Sequence, residues 1–111
     1  MIFIVVKFQV DEVYREQWPA LTKAFTDATR AEEGNLWFDW SHSLDDPNEY
    51  VLVEAFRDSE AGAVHVNSDY FRAGLAAMRP ALTATPRILH TEIEGEEWAA
   101  MGELEIADSS R

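Results

Sequence analysis

The chain has 111 residues, 47% of them hydrophobic, and no cysteine, which fits one folded domain and excludes general disorder, disulfide scaffolds and thiolate metal sites. Twenty-one acidic residues against 9 basic ones give a net charge of −12. Such a field repels nucleic-acid phosphates, anionic lipid and polyanionic substrates, so neither nucleic acid nor membrane is an expected partner. The apolar opening MIFIVV meets Lys7 and Gln9 at once; it is too short for a signal-peptide core or a membrane span, and the chain reads as soluble and cytoplasmic.

In chain order, Ile2 to Val10 alternates as a strand, with Ile4, Val6, Phe8 and Val10 on one face and Phe3, Val5, Lys7 and Gln9 on the other. Asp11 is placed to cap a helix whose apolar stripe is Val13, Leu21, Phe25 and Ala28. Pro19 inside that pattern predicts a kink or a late start near Trp18, and Gly34 is placed to end the helix. Leu36 to Ser43 and Glu49 to Arg57 alternate again around the turn-rich SLDDPNE, a hairpin pair. Asp58 or Ser59 caps a short helix carrying His65, and Asn67 and Ser68 break and restart it. Phe71, Leu75 and Met78 then share one face until Pro80, and Thr85-Pro86 introduces a last strand from Arg87 to Ile93. The order β-α-β-β-α-β is the α+β ferredoxin-like unit, a four-stranded antiparallel sheet with helices on one face.

These strands carry large apolar residues on both faces, Ile4 and Val6 against Phe3 and Val5, Leu36 and Phe38 against Trp37. Helices cover only one side, so the second face calls for an identical sheet related by a two-fold axis. The division is therefore a domain over residues 1–94 and a tail over 95–111. Trp98, Met101, Leu104 and Ile106 make that tail too apolar to hang free, and it is expected to cross onto the partner of a homodimer, with Trp98 as an anchor.

The stretch GNLWFDWSHSLDDPNEYVLVEAFRDSEAGAVHVNSDYF resembles the central block of the antibiotic biosynthesis monooxygenase (quinol monooxygenase-like) family. The matching features are Gly34 entering the second strand, the Asp45-Asp46-Pro47 turn, Glu54-x-Phe56-x-Asp58, His65, and Ser68-x-x-Phe71. The resemblance runs from Ile2 to about Ile93. It implies a dimeric α+β barrel and oxidation of an electron-rich phenol, hydroquinone or polycyclic aromatic to a quinone by O2, with neither metal nor organic cofactor. The sequence has no GxGxxG and no P-loop, and His42, His65 and His90 are not spaced with carboxylates as a metal set. Phe56 stands where many relatives, the haem-degrading branch included, carry Trp, and the first strand has no early Asn. Both departures argue against haem cleavage.

In such chemistry the deprotonated substrate itself gives an electron to oxygen, so the protein need only bind the ring, take a proton and exclude water. His65 is the candidate base, expected to line an apolar pocket near Trp37, Glu54 or Phe71 with room left by Ala61, Gly62 and Ala63. Its ordinary reading is a core histidine bonded to a carboxylate or to the backbone. By the resemblance, Asn35 and Trp37 are catalytic assistants; otherwise they are a turn residue and an interface aromatic. Glu54, Phe56, Tyr70, Phe71, Leu75 and Met78 form the candidate substrate-binding set, and all but Glu54 equally suit a plain core. A buried Glu54 needs a partner, for which Arg57 or Arg87 would serve; Asp39 is a reserve base. Two rivals stay open: a binding or isomerase module in which His65 moves protons without oxygen, and a dimer with no catalysis.

Overall fold

Apolar alternation builds the sheet as the sequence dictates. The computed structural model describes residues 1–107, so residues 108–111, the end of the expected tail, lie outside the described residues. The elements are β1 (Ile2–Gln9), α1 (Trp18–Arg30), β2 (Asn35–His42), β3 (Glu49–Phe56), α2 (Ser59–Val66), α3 (Asp69–Met78) and β4 (Arg87–Glu92), with short 3₁₀ turns at Arg15–Gln17, Arg79–Ala81 and Gly102–Leu104. The four strands pair antiparallel in the order β2-β3-β1-β4, the ferredoxin-like arrangement. No helix among the described residues is long and apolar enough to cross a membrane.

Register fixes which side chains meet the helices. Ile4 pairs with Glu54, Val6 with Leu52 and Phe8 with Tyr50, while Phe38 and Trp40 of β2 oppose Glu54 and Leu52. Because strand side chains alternate, these residues share the inner face. There Val6, Phe8, Phe38, Leu52 and Phe56 are buried with Trp18 and Phe25 of α1 and Met78 of α3. The outer face carries Phe3, Val5, Trp37, Val53 and Leu89, and Leu89 is 78% exposed. Trp37 packs against Trp98 of the tail, the tilted rings 5.2 Å apart, yet Trp98, Met101, Leu104 and Ile106 all stay exposed.

Helix α1 takes the expected late start, at Trp18, with Pro19 in its first turn where a missing N–H costs nothing. Three other local expectations are corrected. The Asp11 carboxylate accepts from the Val13 amide in a turn before the helix instead of capping it, and Val13, outside the helical period, is 70% exposed. The buried stripe is Trp18, Thr22, Phe25, Thr26 and Thr29. The hydroxyls of Thr22 and Thr29 donate to the carbonyls of Trp18 and Phe25 one turn back, so these threonines pack as apolar residues. Gly34 does not end α1, which closes at Ala31. It is buried against α2, where a Cβ would collide with that of Ala61. A Cβ at Gly74 would likewise come within 2.7 Å of the Phe25 ring, so α3 sits on α1 at backbone distance.

The Gly34–Ala61 approach generates a test. Gly34→Ala should destabilise the fold by about 1–3 kcal/mol, as overpacking does, and the added change Ala61→Gly should recover most of that loss in urea denaturation. Equal losses in the single and double variants would show that close approach is not what Gly34 provides.

Candidate functional site

His65 is the one buried residue of α2, and the sequence around it explains its placement. The Asp58 carboxylate caps the helix by accepting from the Ala61 amide at 2.9 Å. The Ser68 hydroxyl donates to the His65 carbonyl at 2.7 Å and accepts from the Phe71 amide at 3.2 Å, ending α2 and starting α3 with one side chain. That break sets the imidazole beside Phe71. Gly34 lets α2 approach the turn after α1, which brings Glu32 to the ring.

Four phenylalanines, one from each of α1, β2, β3 and α3, enclose the imidazole. Ring centroids lie 4.8 Å away for Phe56, 5.1 Å for Phe71, 5.6 Å for Phe25 and 6.2 Å for Phe38. Polar contact comes from two carboxylates. Nδ1 of His65 lies 2.9 Å from Oε2 of Glu32, which also accepts the Tyr70 hydroxyl; the side chains of His65 and Glu32 are 5% and 7% exposed. A carboxylate only accepts, so this bond assigns a proton to Nδ1, and in the neutral ring Nε2 is then the nitrogen with the lone pair. Nε2 faces Oε1 of Glu54 across 4.0 Å, beyond hydrogen-bond reach, and Oε1 of Glu54 and Oε1 of Glu32 are buried without a protein partner among the described residues. Burial, and then the negative charge of Glu32, push the Glu54 carboxyl up to about 7. Burial and the bond to Glu32 also raise the Tyr70 phenol.

The expected site residues separate into groups. His65, Glu54, Phe56 and Phe71 come together, and Tyr70 joins them through Glu32. Leu75 and Met78 lie further along α3 and line a cleft of about 440 Å³ with Phe8, Leu82 and Pro86, a space that His65 does not line. The Asn35 amide donates to the carbonyls of Trp37 and Ala55, holding the irregular start of β2, and Trp37 points to the outer face. Neither arginine serves Glu54: Arg57 lies 3.9 Å from Glu33, and Arg87 lies 3.6 Å from Glu49. Glu32, Phe25 and Phe38 belong to the cluster without having been singled out in the sequence. No group of three or more His, Cys, Asp or Glu among the described residues is arranged to hold a metal ion. The cluster brings an imidazole, a carboxylate bonded to it and a raised carboxyl together inside an aromatic enclosure, the groups that proton transfer calls for.

Comparison with known proteins identifies the family of the chain. Residues 1–77 match the family described as antibiotic biosynthesis monooxygenase. The chain is 26% identical over 93 residues to the Bacillus subtilis (strain 168) protein named "Putative monooxygenase YcnE", covering 84% of this chain and 98% of that one. Among solved structures, Rv0793 from Mycobacterium tuberculosis superposes with a TM-score of 0.77 at 26% identity, covering 86% of this chain and 96% of its own. A Deinococcus radiodurans structure carrying the family name reaches 0.80 at 20% identity, covering 92% of this chain and all of its own, 100%. The chain belongs to the antibiotic biosynthesis monooxygenase family.

Proposed function

We propose that the protein is a cofactor-independent monooxygenase that converts an electron-rich phenol or hydroquinone to a quinone with O2. The observation that carries this reading is the carboxylate-held imidazole with a free Nε2 inside the phenylalanine enclosure. His65 takes the phenolic proton at Nε2, and the phenolate gives one electron to O2. The two radicals combine at a ring carbon bearing hydrogen, and loss of water from the hydroperoxide leaves the quinone, one oxygen atom going to product and one to water. Phe56 and Phe71 supply flat walls for the ring, and Leu75 and Met78 extend the same side of α3 towards a cleft with space for a further ring. A carboxyl titrating near 7 at Glu54 is suited to hand a proton to the departing oxygen. His65→Ala should lower oxygen uptake with a naphthol or anthrone substrate by roughly 10²–10⁴-fold, the contribution of a positioned base. The loss should be smallest at high pH, where the substrate ionises unaided. Full activity in a folded His65→Ala protein would overturn the assignment.

Glu54 adds a pH signature. Its carboxyl is raised from 4.5 unfolded to about 7 folded, so the folded state holds that proton more tightly. The associated stability is fully present below pH 4.5 and is lost as the pH rises through about 7. Glu54→Gln removes this dependence and should stabilise the protein by up to about 3 kcal/mol at pH 8 and far less at pH 5. Urea denaturation at the two pH values reads the difference, and a gain independent of pH would contradict it.

The working unit we propose is a homodimer joined through the outer face of the sheet. Support comes from the exposed Leu89 beside Val5 and from the exposed Trp98, Met101, Leu104 and Ile106 of the tail. Light scattering at low micromolar concentration should give twice the chain mass, and truncation after Gly95 should weaken or abolish that state. A stable folded monomer in the full chain would exclude it.

A further inference from the structure

A base that is 5% exposed and walled by four phenyl rings needs a path by which its proton equilibrates with water. Beside Glu32 the surface opens into a cleft of about 280 Å³ lined by the turn after α1 and by α2. Glu32 lines it together with Glu33, Arg57, Asp58, Glu60 and Val64. One oxygen of Glu32 holds the ring and the Tyr70 hydroxyl; the other, Oε1, is buried and has no protein partner among the described residues. We propose that Glu32 and this cleft form a proton relay connecting His65 to solvent.

The relay rests on the reading of His65 as the base, and its steps balance. Proton uptake at Nε2 gives an imidazolium, which passes its Nδ1 proton to Oε2 of Glu32. The resulting carboxylic acid turns about its Cγ–Cδ bond, which exchanges the places of its two oxygens, and loses that proton to water entering from the cleft. Phenol plus O2 gives quinone plus water with no net proton released, so the relay lends one proton to solvent only after the reduced oxygen has joined the ring. Running backwards, it returns the proton when the second oxygen atom leaves as water. The mouth suits this traffic. Glu33, with its side chain 93% exposed, stands with Asp58 and Glu60 around the single arginine of the lining, which lies 3.9 Å from Glu33. Such a negative rim draws hydronium from solvent. Tyr70 is a side branch: its hydroxyl keeps its own proton on Oε2 and steadies the carboxylate. Glu32 is thus a positioning and relay residue, and His65 remains the group that meets the substrate.

The test reads proton movement without turnover. In the ¹⁵N-labelled full chain, exchange of the His65 Nδ1 proton with water is followed by NMR with neither substrate nor oxygen present. Glu32→Gln keeps an acceptor for Nδ1 but cannot carry a proton, so the tautomer should persist while exchange slows at least tenfold. Val64→Phe narrows the cleft from its exposed rim without touching the buried carboxylate, and it should slow exchange several-fold, which keeps the test open if Glu32→Gln fails to fold. Wild-type exchange rates in both folded variants, or in folded Val64→Phe alone should Glu32→Gln not fold, would overturn the relay. These outcomes are separable from the fate of the proposed reaction. Slowed exchange in a protein that oxidises no phenol leaves the relay standing and removes the chemistry. Phenol oxidation lost in His65→Ala, with exchange indifferent to both relay variants, removes the relay alone.

Discussion

The contact on which the site depends is the bond between Nδ1 of His65 and the buried Oε2 of Glu32. Burying two carboxylates and an imidazole among phenyl rings is unfavourable unless each polar atom finds a partner, because the low dielectric that strengthens a made bond also magnifies an unmade one. Glu32 meets the requirement on one oxygen, with the imidazole and the Tyr70 hydroxyl both donating to it. Glu54 does not meet it and responds by holding its proton up to about neutral pH. The cluster therefore contains one well-anchored carboxylate, one poised carboxyl and a ring between them whose tautomer is set. Structural histidines do not require the second carboxyl. Its presence opposite Nε2 is the observation that favours the proposed base over a plain core histidine.

The backbone provides for that arrangement at some local cost. Helix α2 is only eight residues long and gives up its continuity at Asn67 so that Ser68 can start α3 at a new angle. Glycine at positions 34 and 74 lets α2 and α3 approach their neighbours at distances a Cβ forbids. The turn after α1 is held by backbone bonds from Glu32 to Thr29 and from Asn35 to Glu32, which fix the glutamate's direction before its side chain makes any contact.

Strand parity made much of this legible in the sequence. Tyr50, Leu52, Glu54 and Phe56 fall on one face by counting in twos, so an acid amid inward apolar residues was visible without coordinates. His65 stood out by the same logic, as a titratable group in a run of small residues. Periodicity fails where the backbone has no period. Glu32 lies in a turn beside Glu33, and no local signal tells a 93% exposed glutamate from one that is nine-tenths buried; only the need of a buried histidine for an acceptor could have pointed to it. The stripe of α1 was misread for a different reason. Threonines score as polar, yet Thr22 and Thr29 satisfy their hydroxyls on the helix itself and bury the rest.

Charge across the proposed turnover explains why such a site is compatible with a chain of net charge −12. Electron transfer to O2 creates an anion, and two ionised carboxylates at this depth would oppose it. Proton uptake by His65 places an imidazolium between them at the moment the anion forms, and its positive charge acts at close range in a medium where Coulomb terms are strong. Glu54, with its carboxyl raised to about 7, is about half protonated near neutral pH and so opposes the anion less than an ordinary glutamate would. Glu32 is bound to the ring that carries the positive charge. Deprotonation and electron transfer are in this way coupled by electrostatics: the site favours the reduced oxygen only after the base has accepted its proton, which keeps electron transfer from running ahead of a bound, deprotonated substrate.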